Sequence, residues 1–123
     1  GWATLPAAAW RQGVALASRS AVPAEVLAGS LDRRRLGARV SAITLRSGRL
    51  VRRLAAADPA FDGAPGWHAA EAEDAVAWRW TEGEALLPAG AFAGFDPSEP
   101  VALRVELMGG LCYFVAEGER RAA

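Results

Sequence analysis

The chain has 123 residues, a formal net charge of zero at pH 7 and an apolar fraction of 52%. A chain of this length folds as one domain and buries enough surface to need neither a disulfide nor a metal. Its apolar runs are far shorter than the roughly 18 residues that span a bilayer, and no charged segment precedes a hydrophobic one at the start. We therefore predict a single domain over residues 1–123 with a polar, frayed tail from about residue 117, and no membrane span or export signal. Because the chain begins at Gly1 without an initiator Met, we also expect that it has been trimmed.

Arginines and acids are unevenly distributed along the chain. Residues 1–61 hold ten arginines and three acids, whereas residues 62–123 hold four arginines and eleven acids. A basic half is typical of a surface that binds nucleic acid or another anionic polymer. Strands from both halves of a small β domain usually share a sheet, so we expect the charges to pair within the fold. Because the pI is also near neutrality, at about 6.8, we predict no nucleic-acid partner.

Short β-type segments recur about every ten residues, with Gly, Pro and Asp between them. In chain order the predicted strands cover residues 14–22, 38–46, 49–53, 76–80, 86–87, 101–107 and 111–116. Two hairpins are predicted, one through Ser47-Gly48 and one through Gly109-Gly110. The second is the clearer, because apolar and other residues alternate over 101–107 as in a half-buried strand. Pro23 is expected to end the first strand.

Helices are expected to contribute little. Alanine and leucine are frequent over residues 5–17 and 50–57, but Gly13 interrupts the first segment and Asp58-Pro59 ends the second after barely two turns. No helical pattern of 10 to 15 residues separates the strands, which excludes a βαβ arrangement. The sequence predicts an all-β fold, a small antiparallel β-sandwich or an open barrel, with at most one or two short helices.

The residues that usually carry catalysis are almost absent. His68 is the one histidine, and no serine lies in a Gly-x-Ser-x-Gly elbow. Cys112 lies in an apolar run that we expect to form a strand, and a single cysteine makes no intramolecular disulfide. The acids at 71–74 lack the spacing of a calcium loop, and the glycines at 63–66 do not open a helix as a phosphate loop requires. We predict no catalytic residues, no metal and no cofactor.

Two segments carry more chemistry than a plain scaffold needs. In residues 31–37, three adjacent arginines follow Asp32, and an extended backbone would point Arg34 away from its two neighbours. In residues 78–81, Trp78 and Trp80 would share one face about 7 Å apart, where they could stack on a sugar or base, or fill the core. We predict ligand binding by Arg35, Trp67, His68, Glu71, Trp78, Arg79 and Trp80, and structural roles for Asp32, Arg34, Leu36, Gly37, Thr81 and Gly83.

A family resemblance rests on the stretches 18–25, 32–37 (Asp-Arg-Arg-Arg-Leu-Gly), 66–71 (Gly-Trp-His and Glu) and 78–83 (Trp-Arg-Trp-Thr-Glu-Gly). With these, residues 14–116 resemble a bacterial module that follows the Hedgehog/intein-type (Hint) domain in some proteobacterial proteins. The region is also similar to segments attached to polysaccharide-related glycosyltransferases. The resemblance implies an accessory β domain within a longer bacterial protein that is secreted, or displayed at the cell surface, or processes glycans.

The chemistry of the Hint domain does not carry over. Autoprocessing there needs a cysteine or serine at the splice junction and a Thr-x-x-His block. Here Cys112 is interior, and no threonine stands three residues before His68. The resemblance therefore implies a non-catalytic role and identifies no ligand.

Three hypotheses follow for the function. The first is a non-catalytic module that binds a glycan or a protein surface through the tryptophan pair and the charged groups around it. The second is a structural or assembly domain that packs on its parent chain or, through its edge strands, on copies of itself. The third is an enzyme that uses Glu25, Glu71 or Asp32 as acid and base, which would need two carboxyl groups in one cleft.

Overall fold

The structure is a computed structural model that describes residues 1–108 and 114–118. It confirms the predicted all-β class, because two antiparallel sheets contribute to one hydrophobic core and do not close into a barrel. In the described ranges, the α-helices are two single turns, and two 3₁₀ turns lie between strands. Their bounds are α1 (Ala7–Trp10) and α2 (Pro23–Val26) for the α-helices, and Pro59–Phe61 and Ala89–Phe92 for the 3₁₀ turns.

The larger sheet has six strands. They are β1 (Ala3–Leu5), β3 (Arg39–Ser47), β4 (Leu50–Ala55), β5 (Glu71–Glu73), β6 (Val76–Trp80) and β8 (Val101–Leu107). Their order is β1-β8-β3-β6-β5, and β4 pairs with β3 beside β6. The hairpin predicted through Ser47-Gly48 is confirmed, because β3 and β4 pair from Ser47 opposite Leu50 to Ala42 opposite Ala55. The predicted strand over 76–80 is confirmed with its bounds.

Strand β3 changes its partner at a bulge. Val40 pairs with Arg79 of β6 and Ala42 with Ala55 of β4, and the register with β8 shifts between these two positions. The extra residue is Ser41, whose carbonyl accepts a hydrogen bond from Ala56 N at 2.9 Å. A bulge reverses the alternation of side chains. Val40 and Ile43 are therefore both buried although they stand three residues apart.

The smaller sheet has three strands in the order β7-β2-β9, which are β2 (Val14–Ser18), β7 (Glu84–Leu86) and β9 (Phe114–Gly118). The hairpin predicted through Gly109-Gly110 is wrong. Strand β9 pairs with β2 in this sheet, whereas β8 pairs with β3 and β1 in the other. Both edges of β8 already pair with β1 and β3, which are distant in sequence. Strand β9, the next strand along the chain, therefore pairs with β2 instead. The predicted turn and Cys112 lie outside the described residues.

The first predicted strand is shorter than expected. Strand β2 ends at Ser18, and Pro23 opens α2 instead of closing the strand. Residues 19–22 leave the sheet because Ala21 pairs with Leu36 in an isolated bridge. This departure brings the arginine-rich segment 31–37 toward the larger sheet.

The core lies between the two sheets. It combines Leu16 of β2 with Ile43 and Leu45 of β3 and Leu103 of β8, each at most 2% exposed. Each such side chain contributes about 2 kcal/mol by leaving water. Trp10 closes one end, where its Nε1 donates to Glu99 O at 2.7 Å.

Candidate functional site

Three of the four stretches on which the family resemblance rests meet at one place, which we call the junction (residues 32–37, 66–71 and 78–83). Thr81 lies at its centre and is 1% exposed. Its Oγ1 accepts hydrogen bonds from Ala38 N at 3.0 Å and Gly83 N at 3.3 Å. Its backbone carbonyl accepts from Gly37 N at 2.7 Å. One hydroxyl thus binds two chain segments, which is the structural role predicted for Thr81, Gly37 and Gly83.

Two glycines allow the chain segments of the junction to approach closely. A Cβ on Gly37 would lie 2.6 Å from Gly83 N, from Ser18 Oγ and from Thr81 Oγ1. A Cβ on Gly66, whose φ is +89°, would overlap Glu84 O and lie 2.6 Å from Ala85 Cα. Glycine is the residue that fits where another backbone passes this near. The junction therefore depends on close backbone contact.

Arg79 points to the core side of β6 and is 2% exposed. Its Nε donates to Ala56 O at 2.8 Å and one terminal nitrogen donates to His68 O at 3.0 Å. The same nitrogen lies 3.3 Å from a carboxylate oxygen of Asp62, and the guanidinium lies 5.4 Å from the ring centroid of Phe61. Arg79, predicted to bind ligand, instead joins the loop before β5 to the end of β4.

Asp32, Arg34 and Glu71 form an ion-pair network at the surface of the junction. The Arg34 guanidinium donates to Asp32 Oδ2 at 2.8 Å and to Glu71 Oε2 at 2.7 Å. The side-chain and backbone hydrogen bonds from Arg34 lower the pKa of Asp32 from 3.8 to about 2. The bonds to both carboxylates raise the pKa of Arg34. An acid catalyst needs a raised pKa, so Asp32 is suited to structure and not to proton donation.

His68 and Arg35 hold the same loops together. The His68 Nε2–H donates to Arg35 O at 2.8 Å, and His68 N donates to Trp80 O at 2.9 Å. The Arg35 side chain is exposed and donates to Ser20 Oγ at 3.1 Å. Leu36, predicted to be structural, is half-buried and bridges to Ala21.

Trp78 and Trp80 share one face of β6, as their spacing predicts, but Arg39 covers them. The Arg39 guanidinium lies 4.4 Å from the Trp78 ring centroid and 5.7 Å from that of Trp80. Trp78 is only 9% exposed. Within the described residues, Trp78 Nε1 and Arg39 Nε are buried without a hydrogen-bond partner. Trp78 is therefore packed within the protein, and Trp80 is half-buried beside it.

Trp67 is also packed against the protein. Its ring centroid lies 4.7 Å from that of Phe61, and its Nε1 donates to Leu86 O at 2.8 Å. The structure thus brings all seven predicted ligand residues into or beside the junction. The exposed or half-buried members leave a small surface there, whose binding of a ligand stays a prediction; they are Arg35, Trp67, His68, Glu71 and Trp80.

A second surface, not anticipated from the sequence, lies on the outward side of the larger sheet. Because Ile43 and Leu45 face the core, Thr44 and Arg46 face outward. Thr44 pairs with Arg104 of β8 on one side and with Arg53 of β4 on the other. We call this surface the open face; its residues are Trp2, Thr44, Arg46, Arg53, Arg104 and Glu106.

Trp2 is the exposed aromatic residue of the open face, at 41% exposure. Its ring centroid lies 4.4 Å from the Arg46 guanidinium and 5.9 Å from that of Arg104. Arg53 forms an ion pair with Glu106 at 3.2 Å, and this hydrogen bond lowers the pKa of Glu106. The outward alternation in β3 and β8 was visible in the sequence, but its register with Trp2 was not.

An apolar groove of about 1210 Å³ opens at one end of the smaller sheet. Val14, Pro65, Leu87 and Pro88 line it, together with the acids Asp62 and Glu84. The groove is separate from the open face because its lining comes from β2, β7 and the loops at 60–66 and 87–90.

Metal ligands and membrane-crossing helices were also sought over residues 1–108 and 114–118. In those ranges no group of three or more His, Cys, Asp or Glu side chains is placed to hold a metal ion. Nor do they contain a helix that is long and apolar enough to cross a membrane.

Comparison of the chain with protein-family models, with curated proteins and with solved structures gave no match. The candidate sites are therefore argued from their geometry alone.

Proposed function

We propose that this chain is a non-catalytic accessory module that binds a glycan through its open face. The observation that carries the proposal is the exposure of the Trp2 indole between two arginines. A sugar presents C–H groups on the faces of its ring, and an indole is a broad apolar platform for them. Arg46 and Arg104 supply several N–H donors beside that platform for ring hydroxyls.

The shape of the open face supports the same proposal. The open face is the outward side of a sheet, and a surface of this kind suits an extended polymer better than a small molecule that needs a deep pocket. By contrast, the indole of Trp78 in the junction is covered by Arg39. We therefore propose Trp2, and not Trp78 or Trp80, as the residue on which a sugar stacks.

The accessory role rests on the resemblance to modules that follow Hint domains or accompany polysaccharide-related glycosyltransferases. Such a module would hold its parent protein near a glycan and leave chemistry to another domain. The proposal includes a secreted or cell-surface parent protein, because that is where extended glycans are met.

A glycan array followed by calorimetry tests this function. We expect the wild-type protein to bind at least one glycan, and Trp2→Ala to weaken that binding about 5- to 150-fold, which is the range for loss of a base stacked on an aromatic side chain, worth about 1–3 kcal/mol. Leu31→Ala is the matched control, since Leu31 is 92% exposed and lies away from the open face. Absence of any glycan ligand, or equal binding by Trp2→Ala, would contradict the proposal.

A second candidate function is assembly on the parent chain or on copies of the module. Val26, Leu27 and Leu31 are all exposed, and they lie within six residues of one another. Together with the apolar groove, they are the surfaces that association would bury. Sedimentation over a wide concentration range should then show association that Leu31→Asp reduces, and a strict monomer would exclude self-assembly.

A further inference from the structure

We infer that the open face selects acidic glycans, whose sugar rings carry carboxylate groups, over neutral ones. The inference rests on the proposed function and names its ligand class. Its basis is an excess of positive charge at the indole that the fold itself does not neutralise.

The excess can be followed residue by residue. Arg53 is paired with Glu106 at 3.2 Å. Arg46 and Arg104 lie against Trp2, and among the described residues no carboxylate lies within 4 Å of either guanidinium. Glu106, to which Arg53 is bonded, also has its pKa lowered by the nearby charge of Arg104. The three arginines of the open face therefore share one carboxylate, which leaves an excess of positive charge beside the Trp2 ring.

Their positions suit a carboxylate. Arg46 and Arg104 belong to the adjacent paired strands β3 and β8, and Thr44 is the direct partner of Arg104. Neighbouring strands lie about 4.8 Å apart, and both guanidiniums lie within 6 Å of the Trp2 ring centroid. A guanidinium presents parallel N–H groups that match the two oxygens of a carboxylate. A sugar ring on the indole would place its carboxylate between these donors.

The two arginines are also partly ordered before a ligand arrives. Each guanidinium lies within 6 Å of the Trp2 ring centroid, a distance at which a cation is attracted to the ring. Side chains that are already held in place lose less entropy on binding. A neutral sugar can use these guanidiniums only as hydrogen-bond donors, whereas a carboxylate also gains from their charge.

Glu106 argues against a nucleic acid as the ligand. Its bond to Arg53 keeps its pKa below the ordinary value, so it is negatively charged at neutral pH beside Thr44. A nucleic-acid surface is usually a stripe of basic residues on a chain with net positive charge. Here a carboxylate lies among the arginines, and the net charge of the chain is zero.

Polygalacturonate and its methyl ester provide the test, because esterification removes the charge and keeps the backbone. We expect the wild-type protein to bind polygalacturonate at least tenfold more tightly than the ester, and to lose that preference as the salt concentration rises. Arg46→Gln and Arg104→Gln should each weaken binding of polygalacturonate about tenfold and weaken binding of the ester much less, because the ester loses only hydrogen bonds to its hydroxyls. Arg33→Gln, an equal loss of charge away from the open face, should change neither.

The possible outcomes distinguish a failure of acid selectivity from a failure of the proposed glycan binding. Equal affinity for polygalacturonate and its ester, with both lost in Trp2→Ala, would overturn acid selectivity and leave glycan binding intact. Binding of neither, with no ligand on the array, would overturn the proposed function itself. Tighter binding of a single-stranded oligonucleotide than of polygalacturonate would overturn the inference in favour of nucleic acid. Thermal melting confirms that each variant is folded, and Arg46→Lys, which keeps the charge, should retain part of the preference.

Discussion

Arginine and tryptophan lie side by side in two regions of this molecule, the junction and the open face, with opposite consequences. In the junction, Arg79 is 2% exposed and donates to backbone carbonyls. On the open face, Arg46 lies against the Trp2 indole, which is 41% exposed. The Arg46 guanidinium has no carboxylate within 4 Å among the described residues. The same residue types thus stabilise the fold in one place and leave a surface for a ligand in the other.

The difference arises from the side of the sheet that each arginine faces, which the alternation of side chains along its strand sets. Arg79 pairs with Val40, whose side chain faces the core, so Arg79 also points inward. Arg46 follows Leu45, whose side chain is buried, so Arg46 points outward. A shift of one residue in either strand would exchange the two roles.

The largest effect expected in the junction is that of Gly66→Ala. A Cβ at this position overlaps the backbone at Glu84 and also needs a left-handed φ of +89°. We expect a loss of about 4 kcal/mol in the free energy of unfolding, from overpacking and backbone strain together. Urea denaturation followed by tryptophan fluorescence measures it.

Two other glycines separate the causes of that loss. Gly63 has a φ of +81° with open space around it, so Gly63→Ala should cost only the strain, about 1–2 kcal/mol. Gly90 has neither a positive φ nor a close neighbour, and Gly90→Ala should change stability by less than about 0.5 kcal/mol. Equal losses at Gly66 and Gly63 would mean that the close contact in the junction contributes nothing.

The next largest effect is expected from Arg79→Met, which keeps the length of the side chain and removes its donors. The carbonyls of Ala56 and His68 would lose a charged donor inside the protein. We expect a loss of about 3 kcal/mol in the free energy of unfolding. Arg79→Lys should fall between wild type and Arg79→Met, because one ammonium does not reproduce the fork. Stability unchanged in Arg79→Met would remove the distinction between the two regions.

Much of the fold could be predicted from the sequence because it depends on local patterns. The alternation in β6 and the turn at Ser47-Gly48 both lie within a few residues, and both were predicted correctly. The pairing of β9 with β2 joins residues about one hundred positions apart. A glycine pair after β8 indicated a local hairpin, and only tertiary packing decides between the two partners.

The candidate sites show the same limit. The sequence identified the stretches that meet in the junction, but not that Arg79 and Trp78 would be buried there. Burial depends on what covers a strand, and Arg39, which covers Trp78, comes from β3. Trp2 was not among the residues predicted to bind a ligand. Its importance depends on β1 pairing with β8, which places it beside Arg104.

A smaller effect on the junction is expected from pH. The pKa of Asp32 is lowered from 3.8 to about 2 by Arg34. The pKa of Asp32 is lower in the folded state than in the unfolded state. Ionised Asp32 therefore stabilises the fold above about pH 4, and this contribution is lost as the pH falls through about 2. The stability difference between wild type and Asp32→Asn should therefore shrink over this window. In an Arg34→Gln background the backbone N–H of position 34 still donates to Asp32, so the same comparison should show a smaller change. A change as large as in the wild type would mean that the Arg34 guanidinium does not hold Asp32 ionised.

The smallest effect is expected on the open face. Arg46→Gln and Arg104→Gln remove exposed side chains whose described contact is the ring of Trp2. We expect each to change the free energy of unfolding by less than about 1 kcal/mol, because an exposed cation beside a ring contributes little more. Urea denaturation of both variants beside Arg79→Met gives the comparison directly. A loss as large as that of Arg79→Met would show that these arginines hold the fold together. A small loss would show that these two arginines contribute little to the stability of the fold, so that their N–H groups are available to a ligand.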